Sequence, residues 1–282
     1  MKISIIIPAY NEQDFIVRTL QSLVEQTVKP YQILVVDDNS TDDTGRLVKE
    51  YQKEHPSILY HHNASSAQHL PGSKVIHAFH AGLRVLQEDY EVICKFDADL
   101  IFPTNYIERL STIFNSQPEV GMAGGFCYIK KNGDWKLENL TNKDHIRGAL
   151  KAYRKACFKD INGLKPAMGW DTLDELLAQY HGWGVKTDPD LRVKHLKPTG
   201  HTYTSKAKWK QGEAFYGMRY GFWLTCIASA KLALRKKSAS SFFNYLQGYF
   251  KAYKSKKPFL VSYKEGLFIR KLRWRNIKKK LR

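Results

Sequence analysis

The chain has 282 residues, 43% of them hydrophobic and 13% aromatic, enough for a substantial core in one large domain or one domain with an appendage. It carries no collagen-like period, solenoid repeat or Gly/Ser-rich or Pro-rich linker, which excludes the fibrous, repeat and low-complexity classes. The formal net charge is +18, unevenly spread: residues 201–282 hold 21 Lys and Arg against Glu213 and Glu265, and residues 1–200 hold 24 against 25 acids. The basic segment therefore points to anionic lipid, nucleic acid or a phosphorylated ligand.

At the N-terminus, "MKISIIIPAYNE" has five apolar or small residues in a row before Pro8. A signal peptide needs an apolar stretch of about 7–15 residues, so a first strand is expected instead. "ISIII" (3–7) and "QILVVDD" (32–38) are near-continuous branched runs, the pattern of parallel strands covered on both faces. Ile16, Leu20, Leu23 and Val24 recur between them at helical spacing, giving a β-α-β opening. "DNSTDDT" (38–44) supplies turn and N-cap residues for a helix carrying Leu47, Val48 and Tyr51 that ends before Pro56. "SILYHH" reads as a strand. A helix with Val75, Phe79, Leu83 and Leu86 on one face then leads to the strand "EVICKF".

Past Pro103 the pattern predicts a helix over 104–116, strands over 119–130 and a helix over 146–158. After a loop comes an amphipathic helix, "WDTLDELLAQYHGWG" (170–184), with Leu173, Leu176, Leu177 and Tyr180 as its apolar stripe. Asp171, Asp174 and Glu175 fall off that stripe in the first turns, where the helix dipole favours negative charge. "GVKTDPDLRVKHLKP" reads as two short strands and an exit. Cys94, Cys127, Cys157 and Cys226 form no CxxC pair and are expected to be reduced thiols in a cytosolic protein.

Alternating strands and helices predict a doubly wound α/β fold, in which ligands bind beyond the carboxyl ends of the strands. Three polar clusters fall at those ends: "PAYNE", "VDDNS" and "DAD". In an extended segment Asp97 and Asp99 would point the same way, about 6.5–7 Å apart. Unpaired carboxylates beside a core are costly, and a hard divalent cation carrying a diphosphate would compensate them. The bland alternative is that both merely cap the next helix.

"SIIIPAYNE", "ILVVDDNSTDDT" and "FDADL", in this order and spacing, resemble the nucleotide-sugar-dependent family 2 glycosyltransferases over roughly residues 1–200. The resemblance implies a GT-A fold and a donor site. Pro8, Ala9, Tyr10 and Glu12 match the first nucleotide-contacting loop. Asp38, with Asp37 beside it, matches the aspartate that binds the base. Asp97 and Asp99 match the pair that holds ribose and a divalent metal, Mg²⁺ or Mn²⁺. Lys74 lies where the family commonly has a basic residue near the diphosphate, although His80 stands where asparagine is frequent. His195 is a candidate third metal ligand.

Counting back from "GWG" (182–184) puts Asp171 at the catalytic-base position. Trp170 replaces the acid that often precedes it, so Asp174 and Glu175 stay as rivals. Trp170 is also a candidate wall for the sugar pocket.

The expected organisation is a GT-A catalytic domain over 1–204, divided into a nucleotide-binding half (1–103) and an acceptor-side half (104–204). A basic, aromatic helical extension follows over 205–282, and "HLKPTGHTYTSK" reads as a lid. In the extension the longest charge-free apolar run, 220–230, is far short of the roughly 20 residues that span a bilayer. Basic helices with aromatic faces suit an anionic membrane surface; with no recognition module present, nucleic acid is not an expected partner.

The expected function is thus an inverting transfer of one sugar from a UDP-, GDP- or dTDP-linked donor to a lipid-linked or envelope glycan. The QxxRW motif of processive synthases is absent. The expected location is the inner face of the cytoplasmic membrane, peripherally bound. A non-catalytic binding module of the same fold is the alternative; a nucleotidyltransferase would be expected to open on a Gly-rich basic loop, which "IIIPAYNE" is not.

Overall fold

The computed structural model describes residues 1–65, 72–138, 143–197 and 208–281. The 204/205 boundary and all but the first three residues of the 195–206 lid lie outside them. Strand β1 (Ile3–Ala9), helix α1 (Ile16–Val24), β2 (Gln32–Asp37), α2 (Thr44–Glu54), β3 (Ile58–His62), α3 (Lys74–Val85) and β4 (Val92–Phe96) follow in order. β1 pairs in parallel with β2 and β4, and β2 with β3. Every residue of β1 and β2 is buried, as expected when helices cover both faces of a parallel sheet. The doubly wound expectation is borne out.

The second half continues the same sheet with mixed direction. It comprises β5 (Leu100–Ile101), α4 (Tyr106–Ser116), β6 (Val120–Lys131), β7 (Asp134–Leu137), β8 (Leu150–Arg154), α5 (Lys155–Asp160), α6 (Trp170–Tyr180) and β9 (Gly184–His195). Among the described residues the sheet has nine strands in the order β3-β2-β1-β4-β8-β6-β9-β5, with β7 on β6.

Three expectations are corrected here. The helix over 146–158 is strand β8 followed by the short α5. Ala, Leu, Lys and Arg favour helix by less than about 0.7 kcal/mol per residue, and antiparallel ladders to β4 and β6 on both sides outweigh that. The two short strands after residue 184 are one strand, β9, which keeps parallel pairing with β6 through two irregularities. Asp97–Asp99 is a turn rather than an extended segment. The Asp97 N–H donates to the Ala149 carbonyl at 2.9 Å. The buried Thr19 hydroxyl donates to Ala98 O at 2.7 Å and accepts from Leu100 N–H at 3.1 Å.

Among the described residues four helices follow: α7 (Lys210–Gly217), α8 (Gly221–Arg235), α9 (Ala239–Lys254) and α10 (Tyr263–Leu281). Their buried residues Phe215, Met218, Leu224, Ile269 and Leu272 join the same hydrophobic core as Trp170 and Leu173 of α6. α7 and α9 pack backbone to backbone: a Cβ on Gly212 would lie 1.8 Å from Tyr245 O, and one on Gly248 would lie 2.1 Å from Trp209 O. Only glycine permits that approach. Ser262 and Glu265 form a reciprocal capping box that starts α10.

Candidate active site

The carboxyl ends of β1, β2 and β4 and the end of β9 converge on one rim. Tyr10, after Pro8 and Ala9, is exposed, with the Lys74 ammonium 4.2 Å from its ring centroid. Lys74 also reaches Asp38 at 3.5 Å, and Asn63 donates to the other Asp38 oxygen at 2.6 Å. Asp37 is buried and already occupied, accepting from Ser40 N–H at 2.9 Å and from the Tyr60 hydroxyl at 2.8 Å. Burial works to raise its carboxyl; the Ser40 and Tyr60 bonds win and hold it below the ordinary range. Asp37 therefore shapes the loop; Asp38, equally buried, is held between Lys74 and Asn63 beside the exposed Tyr10.

At the neighbouring turn, Asp97 is ion-paired with Lys95. Lys95 is only 2% exposed and donates also to Gly148 O at 3.0 Å. Asp99 is buried, 3.3 Å from His195 Nε2, and the other ring nitrogen of His195 lies 2.9 Å from Glu138. Of the three expected metal donors, Asp99 and His195 are adjacent, with the Glu138 carboxylate behind the imidazole as commonly found behind a metal-binding histidine, whereas Asp97 is tied to Lys95.

Glu12 adds a second indication. One of its oxygens takes Lys197 at 3.0 Å, and the other is buried with no partner. Burial, with the Asp99 and Asp97 charges adding to it, pushes Glu12 up to about 7 against the pull of Lys197. A divalent cation held by Asp99 and His195, with Asp97 near, fits this donor set. Cys127, Glu138 and His195 also lie within ligand distance of one another. That grouping suits a cation less: Glu138 is paired with Arg147, and burial pushes the Cys127 thiol up to about 12.

The start of α6 holds a second cluster. Of its expected stripe Leu173, Leu176 and Leu177 are buried and Tyr180 is half-buried, but Asp174 and Glu175 are buried too, contrary to their expected place on the exposed side. Lys151 of β8, 0% exposed, compensates them. Its ammonium donates to Asp174 at 2.8 Å, to Glu175 at 3.1 Å and to the Asp171 carbonyl. The Tyr153 hydroxyl donates to the other oxygen of Asp174 at 2.5 Å. Asp174 is thereby shut away from any acceptor sugar.

Asp171 keeps 33% of its side chain exposed. His145 bridges it to Glu175, at 3.6 Å from Asp171 and 2.9 Å from Glu175. Burial would raise the Asp171 carboxyl, but the His145 ring and the Lys151 charge outweigh it and hold the group at about 2. Asp171 is an ionised, solvent-reaching carboxylate at neutral pH. Trp170 is buried between the two clusters, its ring centroid 5.4 Å from Lys95 and 5.9 Å from Lys151. It packs against the lysines and offers little face to a sugar.

Local patterns did not reveal Lys95, Glu138, His145, Arg147, Lys151 or Tyr153. A signal existed for two of them: Lys95 in "VICKF" and Lys151 in "ALKAY" interrupt apolar runs, and a buried lysine demands a carboxylate partner. Replacing Lys151 by methionine leaves two buried acids uncompensated and should cost about 3–5 kcal/mol, read as a large fall in Tm.

His145 gives a pH test. Burial works to lower its pKa, but Asp171 and Glu175 raise it from 6.5 to about 9. A raised pKa means that the stabilisation is complete below pH 6.5 and is lost as pH rises through about 9, an effect on the order of 3 kcal/mol. The Tm gap between wild type and His145→Gln should therefore be widest near the acid end and close above that range. A gap that grows with pH would show that the ring is neutral in the fold.

The site thus gathers a cationic–aromatic pair, Lys74 and Tyr10, the adjacent donors Asp99 and His195, and, at the start of α6, the ionised carboxylate of Asp171. The chain belongs to glycosyl transferase family 2, whose sequence profile matches residues 4–163, more than half its length.

Among relatives, a GalNAc(5)-diNAcBac-PP-undecaprenol beta-1,3-glucosyltransferase of Campylobacter jejuni is 31% identical over 139 residues, 49% of this chain and 41% of that protein. The chain spans less than half the length of the first curated relatives it matches. Mannosyltransferase PcManGT from Pyrobaculum calidifontis, solved with GDP-Man and Mn²⁺, aligns with a TM-score of 0.60 at 16% identity, covering 95% of this chain and 78% of that one. S. aureus TarS 1-349 in complex with UDP-GlcNAc aligns with a TM-score of 0.58 at 20% identity, covering 78% and 65%. The fold is GT-A.

Proposed function

We propose that the chain is a divalent-metal-dependent, inverting glycosyltransferase. It would move one sugar from a nucleoside-diphosphate sugar to a hydroxyl of a lipid-linked or envelope glycan, working at the inner face of the cytoplasmic membrane. The observation that carries this reading is the placement of Asp171. It is an ionised carboxylate with an open side, joined through Trp170 and Lys95 to the turn that bears Asp97 and Asp99.

In this reading Tyr10, Asp38 and Lys74 bind the nucleotide. Asp99 and His195 would hold Mg²⁺ or Mn²⁺, with Asp97 beside them. The metal supplies charge neutralisation for the diphosphate. Asp171 accepts the acceptor hydroxyl's proton while that oxygen bonds the anomeric carbon and the bond from that carbon to the diphosphate oxygen breaks. His145 and Lys151 keep Asp171 unprotonated and aimed. Its lowered pKa leaves the carboxylate ionised and able to accept that proton at neutral pH.

The names of the C. jejuni relative and of the two nucleotide-sugar complexes support an undecaprenol-type acceptor and a UDP or GDP donor. Thermal-shift measurement with UDP-, GDP- and dTDP-sugars, with and without Mn²⁺, tests the reading. One nucleotide class should stabilise the protein only when metal is present, by about 2.7 kcal/mol at a hundred times its Kd. No shift with any donor would overturn it and favour a non-catalytic module.

A further inference from the structure

α8 and α9 are built the wrong way round for helices in water. Apart from Leu224 on α8 and Tyr245 on α9, their buried residues are small: Thr225, Ser229 and Ala233 on α8, and Gly248 and Ala252 on α9. Several large apolar side chains face outward instead. Along α8, Trp223, Ile227 and Leu234 follow helical spacing, with Trp223 71% and Leu234 78% exposed. Along α9, Phe243 is 68% exposed, and Phe250 follows it on the same side. The Phe222 ring lies 5.2 Å from Trp223 and 5.8 Å from Phe250, joining the two stripes into one face. Soluble monomers rarely leave large contiguous apolar surfaces open.

Charge narrows the occupant. No acidic residue occurs between Glu213 and Glu265. Lys236 and Lys237 at the end of α8, and Lys251, Lys254 and Lys256 at the end of α9, are all exposed. A second copy would bring two such lysine sets together without a single counter-charge from these helices, which repels. A bilayer containing anionic phospholipid offers apolar depth for the rings and phosphate for the ammonium groups. Among the described residues no helix is long and apolar enough to cross a membrane, so the pair would lie in the interface.

We infer that the α8–α9 face is the membrane-docking surface. Trp223, Leu234, Phe243 and Phe250 enter the headgroup–acyl boundary, and the terminal lysines bind lipid phosphates. The inference deepens the membrane placement proposed above and does not depend on the donor chemistry.

Flotation of the full chain with vesicles of phosphatidylcholine, with and without phosphatidylglycerol, tests it. The wild type should float with the anionic vesicles and be released by salt. Trp223→Ser and Phe243→Ser should each weaken binding about tenfold, and Lys251→Ala with Lys254→Ala about tenfold or more. Because these side chains are exposed, Tm should not change, and the thermal shift given by Mn²⁺ with UDP or GDP should persist. Equal flotation of wild type and Trp223→Ser/Phe243→Ser overturns the inference. So does a wild type that fails to float yet keeps the nucleotide shift, an outcome that leaves the transferase reading intact. A concentration-dependent dimer dissolved by Trp223→Ser would assign the face to a second copy instead.

Discussion

Asp171→Asn is expected to cut sugar transfer by about 10²–10⁴-fold while donor affinity stays nearly unchanged. The substitution keeps the side chain's shape and removes the one open, ionised carboxylate of the α6 cluster. Transfer measured with donor and acceptor both saturating reads kcat, and titration of nucleotide with Mn²⁺ reads binding. Asp174→Asn should behave differently. Asp174 accepts from Lys151 and Tyr153 in the interior, so its loss should lower Tm, with the protein that stays folded still turning over. Full activity in Asp171→Asn, or collapse of transfer in a stably folded Asp174→Asn, would move the base elsewhere.

The second large effect concerns the metal donors. Asp99→Ala should abolish metal-dependent nucleotide binding, a loss of more than about a hundredfold, since Asp99 and His195 are the adjacent pair 3.3 Å apart. His195→Ala should do nearly the same. Glu138→Gln should weaken metal affinity by about 10–100-fold without removing a ligand, because the carboxylate orients the imidazole from behind. Calorimetric titration of Mn²⁺ in the presence of UDP or GDP separates the three. Unchanged affinity in Asp99→Ala would take the cation out of the mechanism, whatever the fate of transfer.

Much of the donor side was legible along the chain. "ISIII", "QILVVDD" and "EVICKF" declare buried parallel strands by composition, and the polar clusters at their ends mark the rim where ligands bind. The acceptor side was harder to read. "GALKAYRKACF" has good helix formers, yet Leu150–Arg154 is a central strand, because β4 and β6 leave a place between them that local propensity cannot sense. Asp174 and Glu175 looked like surface acids at a helix start. Only the arrival of Lys151, about two dozen residues earlier in the chain, explains how they can be buried.

By itself the sequence determined the βαβ half, the order of its acidic turns and the segregation of positive charge to the last 82 residues. These follow from periodicity and composition, which are local and additive. Tertiary structure alone decided which aspartate faces solvent, that His145 bridges Asp171 to Glu175, and that Glu138 stands behind His195. The energy of a charge is set by whatever else reaches it in three dimensions, so these roles become visible only once β6, β8 and β9 lie side by side in the sheet.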